Sequence, residues 1–408
     1  MARKKIYQSI PSTCKDCGKD FIITPEEQRY FKAMGFNLPK RCSDCRKVRR
    51  DARKEAEAKK NARLKAIEKE KCEKKWEEDE KKLTKILETL PFHQIKINEI
   101  RLANPSSTLV VIGNGFDIMH GVKSSYWDFQ KTIGKNSLLR FYMEVYLDTE
   151  DLWSNLEDSL GRLNYRLFLD PDIIDMWLDN YGAYDPDAQA ANFFAAMETA
   201  IAPTFEIPRE LNKRFKKWVK TLTVDGKDRP FEMFHGDYKV LCFNYTEFIE
   251  DLYGAKADNI CYIHGCRKNR KNCKSGKLIL GHRPGMEEEQ WDKVELKPYK
   301  FKDPYKRYIM ESALETAARE AAWYEEAMTK NCDTIIKNHE QFFSGLSDIE
   351  EVYVIGHSLS EVDYPYFREI CKRSDAKWYI GFHSLDDMKR FLVFVDAMGL
   401  SKVTVFRT

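Results

Sequence analysis

Four cysteines stand in two pairs, Cys14-x2-Cys17 and Cys42-x2-Cys45, with 24 residues between the pairs. A CxxC turn places two thiolates on one side of a tight bend. Two such turns complete a tetrahedral four-thiolate site that suits zinc and leaves no open position. Gly18 follows the first pair, where such a turn often needs positive φ. A closed site of four cysteines holds a fold together and activates no water. The expectation is a structural Zn2+ in residues 1–45, with the chemistry elsewhere.

Four further stretches carry polar residues just after apolar runs, where ligands bind in open α/β sheets. The first is Gly113-Asn114-Gly115-Phe116-Asp117, with Gly121 beyond it. Its glycines let a backbone approach a phosphate or a ribose, with amides aimed at it. The spacing lacks the third glycine of the dinucleotide fingerprint, so a tight turn that needs glycine is the plainer alternative. The second is Phe243-Asn244-Tyr245-Thr246, where Asn244 is also a natural helix cap. The third, Ile263-His264-Gly265, offers a general base beside a glycine that leaves space. The fourth is Gly356-His357-Ser358-Leu359-Ser360, followed by Asp363. It suits a nucleotide's ribose or phosphate equally with capping of the next helix from Ser360. Cys261, Cys266 and Cys273 surround His264 at a spacing that matches no metal site, so they read as ordinary thiols. His120 and His235 stay undecided, and His282 is a candidate to join the pocket.

The elements that must position these residues follow from the apolar pattern. Residues 46–90 contain no Pro or Gly and read as one long charged helix, a stiff connector. Its apolar residues are sparse until Leu83, Ile86, Leu87 and Leu90, and Pro91 ends it. Strands are expected at STLVVI, YKVLCFNY, NICYIHG, KLILGH, EEVYVIGHS, KWYIGFH and KVTVFRT. Helical patterns fill 124–222 and 305–342, and helices are expected near 361–373 and 384–398. Strands alternating with helices imply a parallel sheet covered on both faces. The fold expected is therefore α/β: a Rossmann-like, mostly parallel sheet over 91–408 with a helical insertion at about 124–222. A small zinc ribbon and the charged helix precede it.

Composition narrows the class. Hydrophobic residues make up 43% of the 408, enough for a core and against global disorder. No apolar run reaches the roughly 20 residues that span a bilayer, and the start shows no signal peptide. A cytoplasmic protein without membrane association is expected, its eleven cysteines being ligands or buried thiols. The net charge of +3 hides an asymmetry. Residues 1–65 hold 19 Lys/Arg against 8 Asp/Glu, a balance of +11. That end suits a nucleic acid or another acidic surface, or simply a solvated helix. Lys40, Arg41, Arg46, Lys47, Arg49 and Arg50 are the side chains a zinc module would present.

The wording and order of the motifs carry a resemblance. VIGNGFDIMHG, the stretch Leu152 to Glu157, CFNYTEFIEDLYG, YIHG, LGH and VYVIGHSLSEVDYPYF resemble the AbiH family of bacterial abortive phage-infection proteins, over approximately Leu109 to Thr408. The first 45 residues are similar to a zinc-ribbon family that occurs fused to other domains. A more distant likeness is to sirtuin-like NAD-hydrolysing defence domains, in which an Asn and a His serve catalysis. By position these are Asn244 and His264. The chain departs from that pattern at Asn114 and Asp117 in the first loop and at His357 in the fourth. The resemblance implies an anti-phage effector that hydrolyses NAD or a related nucleotide. Asn244 would orient ribose or water and His264 would take a proton. The amides of Gly113 to Gly115 would hold the pyrophosphate, and Asp117 would accept from a ribose hydroxyl or cap its turn. Two alternatives stand beside it. One is a nucleic-acid-targeting effector or nuclease, suggested by the basic end and the RKNRKNCK stretch at 267–274, with Glu157, Asp158 and Asp363 as acids if the fold joins them. The other is a non-enzymatic nucleotide sensor. The long helix could also support a homo-oligomer.

Overall fold

A computed structural model describes residues 8–33, 35–147, 149, 152–168, 170–225, 229–269, 273, 278–284 and 301–408. The chain divides into two compact units, Met1–Lys82 and Leu83–Thr408.

In the first unit, strands β1 (Ile10–Thr13) and β2 (Asp20–Ile23) pair antiparallel, with Thr13 opposite Asp20. Their turn carries the first cysteine pair, and Gly18 closes it at φ 72° as its position in the sequence implies. A helix follows at Pro25–Ala33. The 47-residue helix Ser43–Thr89 then begins on the second cysteine pair: Cys42 precedes it and Cys45 lies in its first turn. Along this helix, Lys59 pairs with Glu55 and Lys74 with Glu70, both at 2.7 Å and one turn apart. Such exposed pairs add only tenths of a kcal/mol each, about 0.2–0.5.

The second unit is built on a seven-stranded, wholly parallel sheet. Its strands are β3 (His93–Lys96), β4 (Thr108–Ile112), β5 (Lys239–Cys242), β6 (Ile260–Tyr262), β7 (Glu351–Ile355), β8 (Lys377–Phe382) and β9 (Val403–Arg407). They lie in the order β3-β9-β8-β7-β4-β5-β6. Set β3 aside and number from β4, and this is the 3-2-1-4-5-6 order of doubly wound dinucleotide-binding sheets, read from its far edge. Side chains alternate across the sheet as a two-residue period requires. Leu109, Val111, Leu241, Val352 and Val354 enter the core on one face, and Val110, Ile112, Val240, Tyr353 and Ile355 enter the other. Both faces are covered, which is why β4 is buried at all five residues.

Two strand expectations change. Of KLILGH, Lys277 lies outside the described residues; Leu278 to Gly281 run without sheet pairing, and His282 forms a parallel bridge to Thr329. In its place the sheet gains β3, whose HQIK sequence is too short and too polar to show a period. The helical expectations agree with the structure. Among the described residues seven helices lie between Tyr126 and Val219, and they share a third core with the helices Pro304–Ala321 and Trp323–Met328.

The end of the long helix belongs to the second unit. Leu83 is 1% exposed in the core beneath β4 and β7, and Ile86, Leu87 and Leu90 pack against it. Leu83→Ala should lower the urea-unfolding free energy of the second unit by about 2–5 kcal/mol. Lys82→Ala, one residue earlier and exposed, should change it by less than about 0.5 kcal/mol.

Candidate functional site

The four thiols of the first unit meet as the spacing requires. Their sulfurs lie within 4.8 Å of one another. Cys17 Sγ and Cys42 Sγ are 3.7 Å apart, close to the roughly 3.8 Å edge of a tetrahedron with zinc–sulfur bonds of about 2.3 Å. Backbone N–H groups of Cys42 and Cys17 lower the Cys14 thiol to about 6, while the neighbouring thiols push Cys45 up to about 12. Such crowded sulfurs cannot all ionise without a cation among them, so the donor set fits zinc. Asp16, inside the first turn, accepts from Arg41 Nε and Arg49 Nε at 2.8 Å. Glu27 accepts from Arg46 at 2.7 Å. Three of the six basic residues are thus engaged in holding the module together rather than offered to a partner.

In the second unit a cavity of about 620 Å³ opens at the carboxyl ends of the central strands. The turns after β4 and β7 cross there at contact distance. Gly115 N donates to Gly356 O at 2.7 Å, and Gly113 N donates to Ile355 O at 3.2 Å. A Cβ on Gly115 would lie 2.8 Å from Gly356 Cα, and one on Gly113 would lie 2.7 Å from His357 Cα. Gly356 sits at φ 63°, and a side chain there would collide with the Gly115–Phe116 backbone. These glycines therefore serve the crossing of two backbones. The Gly113 and Gly115 amides are bonded within the protein, not free for a phosphate.

Asp117 projects from the first turn, 2% exposed. It accepts from Asn244 Nδ2 at 2.7 Å and from Thr246 Oγ1 at 2.6 Å. Burial raises its carboxyl to about 7 against those two hydrogen bonds. Because the Asn244 amide nitrogen is held by Asp117, its Oδ1 faces away, and Oδ1 has no hydrogen-bond partner. Asn244 does not cap the next helix: Glu247 holds the cap place of Phe248–Tyr253. His264 lies two residues past β6, with its ring edge-on to Phe243 and Tyr366. Its Nε2 makes no hydrogen bond, and Asp363 Oδ1 is 3.7 Å away. Burial first, and then the charge of Lys330, push His264 well below its ordinary value, so the ring is neutral.

Asp363 is the hub of this wall. Its Oδ2 lies 3.4 Å from His357 Nε2, while His357 Nδ1 accepts from Leu359 N at 2.9 Å. Leu359 adopts φ 54° to make that bond, in a region side chains seldom occupy. Ser360 forms no side-chain cap and Asp363 turns inward, so this loop serves the pocket rather than its helix. Behind it, Lys330 Nζ lies 2.7 Å from Glu157 Oε2 and 3.5 Å from Asp363 Oδ1. Burial disfavours the ammonium, but Asp363 and Glu157 outweigh it and hold Lys330 charged. The same ammonium, with the hydrogen bond from His357, overcomes burial and keeps Asp363 well below the usual carboxylate range. Glu157 and Asp363 do come together, but around an ammonium. Asp158 lines the same cavity but pairs with Arg162 at 2.7 Å.

The remaining candidates lie outside the cavity or are engaged within the protein. Phe116 is packed against Phe231 and Phe234 on the sheet's far face, outside the cavity. Asn114 lines the cavity but donates its Nδ2 to Ser124 O at 2.9 Å. His120 bridges Phe116 O and Tyr253 Oη, both at 2.7 Å, His235 is exposed, and neither His120, His235 nor His282 lines the pocket. Cys261 and Cys266 join opposite cores, and among the described residues only the four N-terminal cysteines group as metal ligands. In the basic stretch, Arg267 and Lys268 are tied to Glu247, which they hold down at about 2 against burial. Residues 270–272 and 274 of that stretch lie outside the described residues.

A family model described as Bacteriophage abortive infection AbiH matches residues 109–382, more than half of the chain. The chain belongs to the AbiH family. Its role is accordingly one in bacteriophage abortive infection. A second model, described as Probable treble clef domain, matches residues 8–54. The zinc module is thus a treble clef, with its second cysteine pair on a helix start rather than on a second hairpin. No curated protein and no solved structure matches the chain.

At this AbiH-family pocket, sequence reading missed Lys330, behind the wall, and Ser124, on it. Lys330 follows an ordinary helix and stands in no motif. Ser124 precedes a better cap, Ser125, which bonds Asp128 N at 3.1 Å; Ser124 Oγ, by contrast, is buried at the cavity without a partner. For the treble clef, purified protein should carry about one zinc per chain by atomic absorption. Cys14→Ser with Cys42→Ser should abolish it, and chelation should melt the far-ultraviolet signal of an isolated 8–54 peptide.

Proposed function

We propose that this AbiH-family chain serves abortive infection by hydrolysing NAD or a related nucleotide, in the cytoplasm, in a sirtuin-like pocket. One observation carries this reading. Two buried polar atoms on neighbouring strand ends, Asn244 Oδ1 and His264 Nε2, border one cavity without a hydrogen bond from the protein. Buried polar atoms are nearly always paired, so these two await a ligand or water. The cavity's volume falls in the roughly 300–1,000 Å³ range of small-molecule sites.

The chemistry is the breaking of the bond between nicotinamide nitrogen and ribose C1′. The bonding pair leaves with the nicotinamide nitrogen, and a positive charge develops on the ribose. Water oxygen bonds C1′ and its proton passes to His264 Nε2. A neutral imidazole is needed for that transfer, and burial keeps it neutral. Asp363, 3.7 Å away, stabilises the imidazolium that results. Asn244 Oδ1, fixed by Asp117, accepts from the water or from a ribose hydroxyl. With the Gly113 and Gly115 amides and the Asn114 side chain occupied, donors for the phosphates are the Asn114 backbone N–H and the Ser124 hydroxyl. The treble clef serves recognition or assembly. Lys40, Lys47 and Arg50 are exposed and in no salt bridge among the described residues, so they are the cations it presents to an acidic partner, nucleic acid or phage component.

The test is chromatographic detection of nicotinamide released from NAD, with and without extract of phage-infected cells. His264→Ala and Asn244→Ala should each slow release by at least about a hundredfold. Intact NAD beside cleaved RNA or DNA in the same reactions would replace this reading with a nuclease.

A further inference from the structure

Lys330 is a buried group of this site that the hydrolytic reading leaves without a task. Its side chain is 0% exposed and lies behind the cavity wall, touching no lining space. Leaving a charge there is costly unless it is paired. Its two partners come from separate parts of the unit. Glu157 belongs to the short helix Leu156–Leu160 of the helical insertion, and Asp363 belongs to the loop after β7. The backbone that carries Lys330 is itself clamped. His282 N donates to Met328 O and Lys330 N donates to His282 O, both at 2.8 Å. Gly281 lets the two strands of chain meet, since a Cβ there would collide with the Met328 carbonyl. The Leu-Gly-His motif thus aims Lys330 without entering the pocket.

We infer that Lys330 is the positioning residue of the pocket, an ammonium that ties the helical insertion to the sheet and fixes Asp363 against His264 and His357. This rests on the hydrolytic reading only where turnover is concerned. Lys330 acts on His264 in two ways. It repels the imidazolium directly, and it anchors the Asp363 oxygen that lies 3.7 Å from Nε2. The charged or titratable groups facing His264 are Lys330, Asp363, His357 and His339, with the Tyr245 and Tyr366 rings packed beside it. Of these, only Lys330 is a permanent cation.

The test is Lys330→Met in the full chain, read in two ways. The first is imidazole NMR titration of His264, assigned by the signal missing from His264→Gln. In the wild type His264 stays neutral through pH 6.5. In Lys330→Met the repulsion is gone while Asp363 and Glu157 remain, so its pKa should rise by roughly one unit or more. The second is the pH profile of nicotinamide release. Protonated His264 cannot take a proton, so the acid limb should move to higher pH by the same amount. kcat should fall about tenfold or more, with KM changed less than about threefold, because Lys330 does not line the cavity. If Lys330→Met does not fold, Lys330→Met with Glu157→Gln removes one acid along with the ammonium and is read the same way. An unchanged His264 titration, with a superimposable pH profile, would overturn the inference. A wild type that releases no nicotinamide would overturn the hydrolytic reading alone, since the NMR titration still decides the role of Lys330.

Discussion

The pocket depends on two backbones that pass each other with no room for a side chain. β4 and β7 are neighbours in the middle of the sheet, and the chain leaves them toward opposite faces. Phe116, after β4, enters one core, and Tyr366 and Phe367, after β7, enter the other. A crevice opens where connections diverge in this way. In this sheet the two turns are still in contact as they part, joined by the Gly115–Gly356 hydrogen bond. The contact sets how far apart the two rims stand. It also fixes Asp117 on one rim and His357 with Asp363 on the other. Any β-carbon at Gly113, Gly115 or Gly356 would push the rims apart, and the polar side chains beyond would lose their register.

Within that frame, the charges are arranged in two groups that do different things. Asp117, Asn244 and Thr246 form a hydrogen-bonded set with no cation in bonding contact among the described residues, and burial raises its carboxyl to about 7. Glu157, Lys330, Asp363 and His357 form an ion-paired set whose carboxylate at Asp363 stays ionised. Asn244 belongs to the first group and His264 faces the second. One offers an oriented carbonyl oxygen and the other a neutral ring next to a fixed negative charge. Burial raises Asp117, and it still raises Glu157 beside the ammonium; only at Asp363 do Lys330 and the hydrogen bond from His357 together overcome it, which is how one cavity keeps carboxyl groups at opposite ends of their range.

How much of this was legible in the sequence differs by level. The sheet was legible because Thr108 to Ile112 and Glu351 to Ile355 are short apolar runs that break into glycine turns. The strand at His93–Lys96 was not, because four largely polar residues carry no period. LILG was apolar enough for a strand, yet its job is to brace Met328 and Lys330 from the side, a contact set by distant residues. Asn244, His264 and Asp363 were visible as polar residues at strand ends. Their partnership was not, because it depends on Lys330, 66 residues beyond His264 and in no motif. The glycines were visible too, but composition alone cannot tell a turn that cradles phosphate from one that lets another backbone pass. Here the hydrogen bonds from Gly113 N and Gly115 N decide it.

The same distinction between a residue's type and its engagement applies to the basic first unit. Its formal balance of +11 over residues 1–65 suggests a strongly attractive surface for an anion. But Arg41 and Arg49 converge on Asp16, which sits between two of the zinc-binding cysteines, and Arg46 reaches Glu27 and the Phe31 ring. Those guanidinium groups lie where the two cysteine pairs must be held together. Their positive charge also faces a cluster of four thiolates, which carries net negative charge even with a divalent ion bound. Part of the excess charge therefore balances the metal site itself. What remains free to act at a distance is the lysine and arginine set pointing outward from the start of the long helix, and at cellular ionic strength that field decays within about 8 Å. The net charge of this unit therefore acts only at close approach to that face, and long-range attraction does not follow from the formal balance.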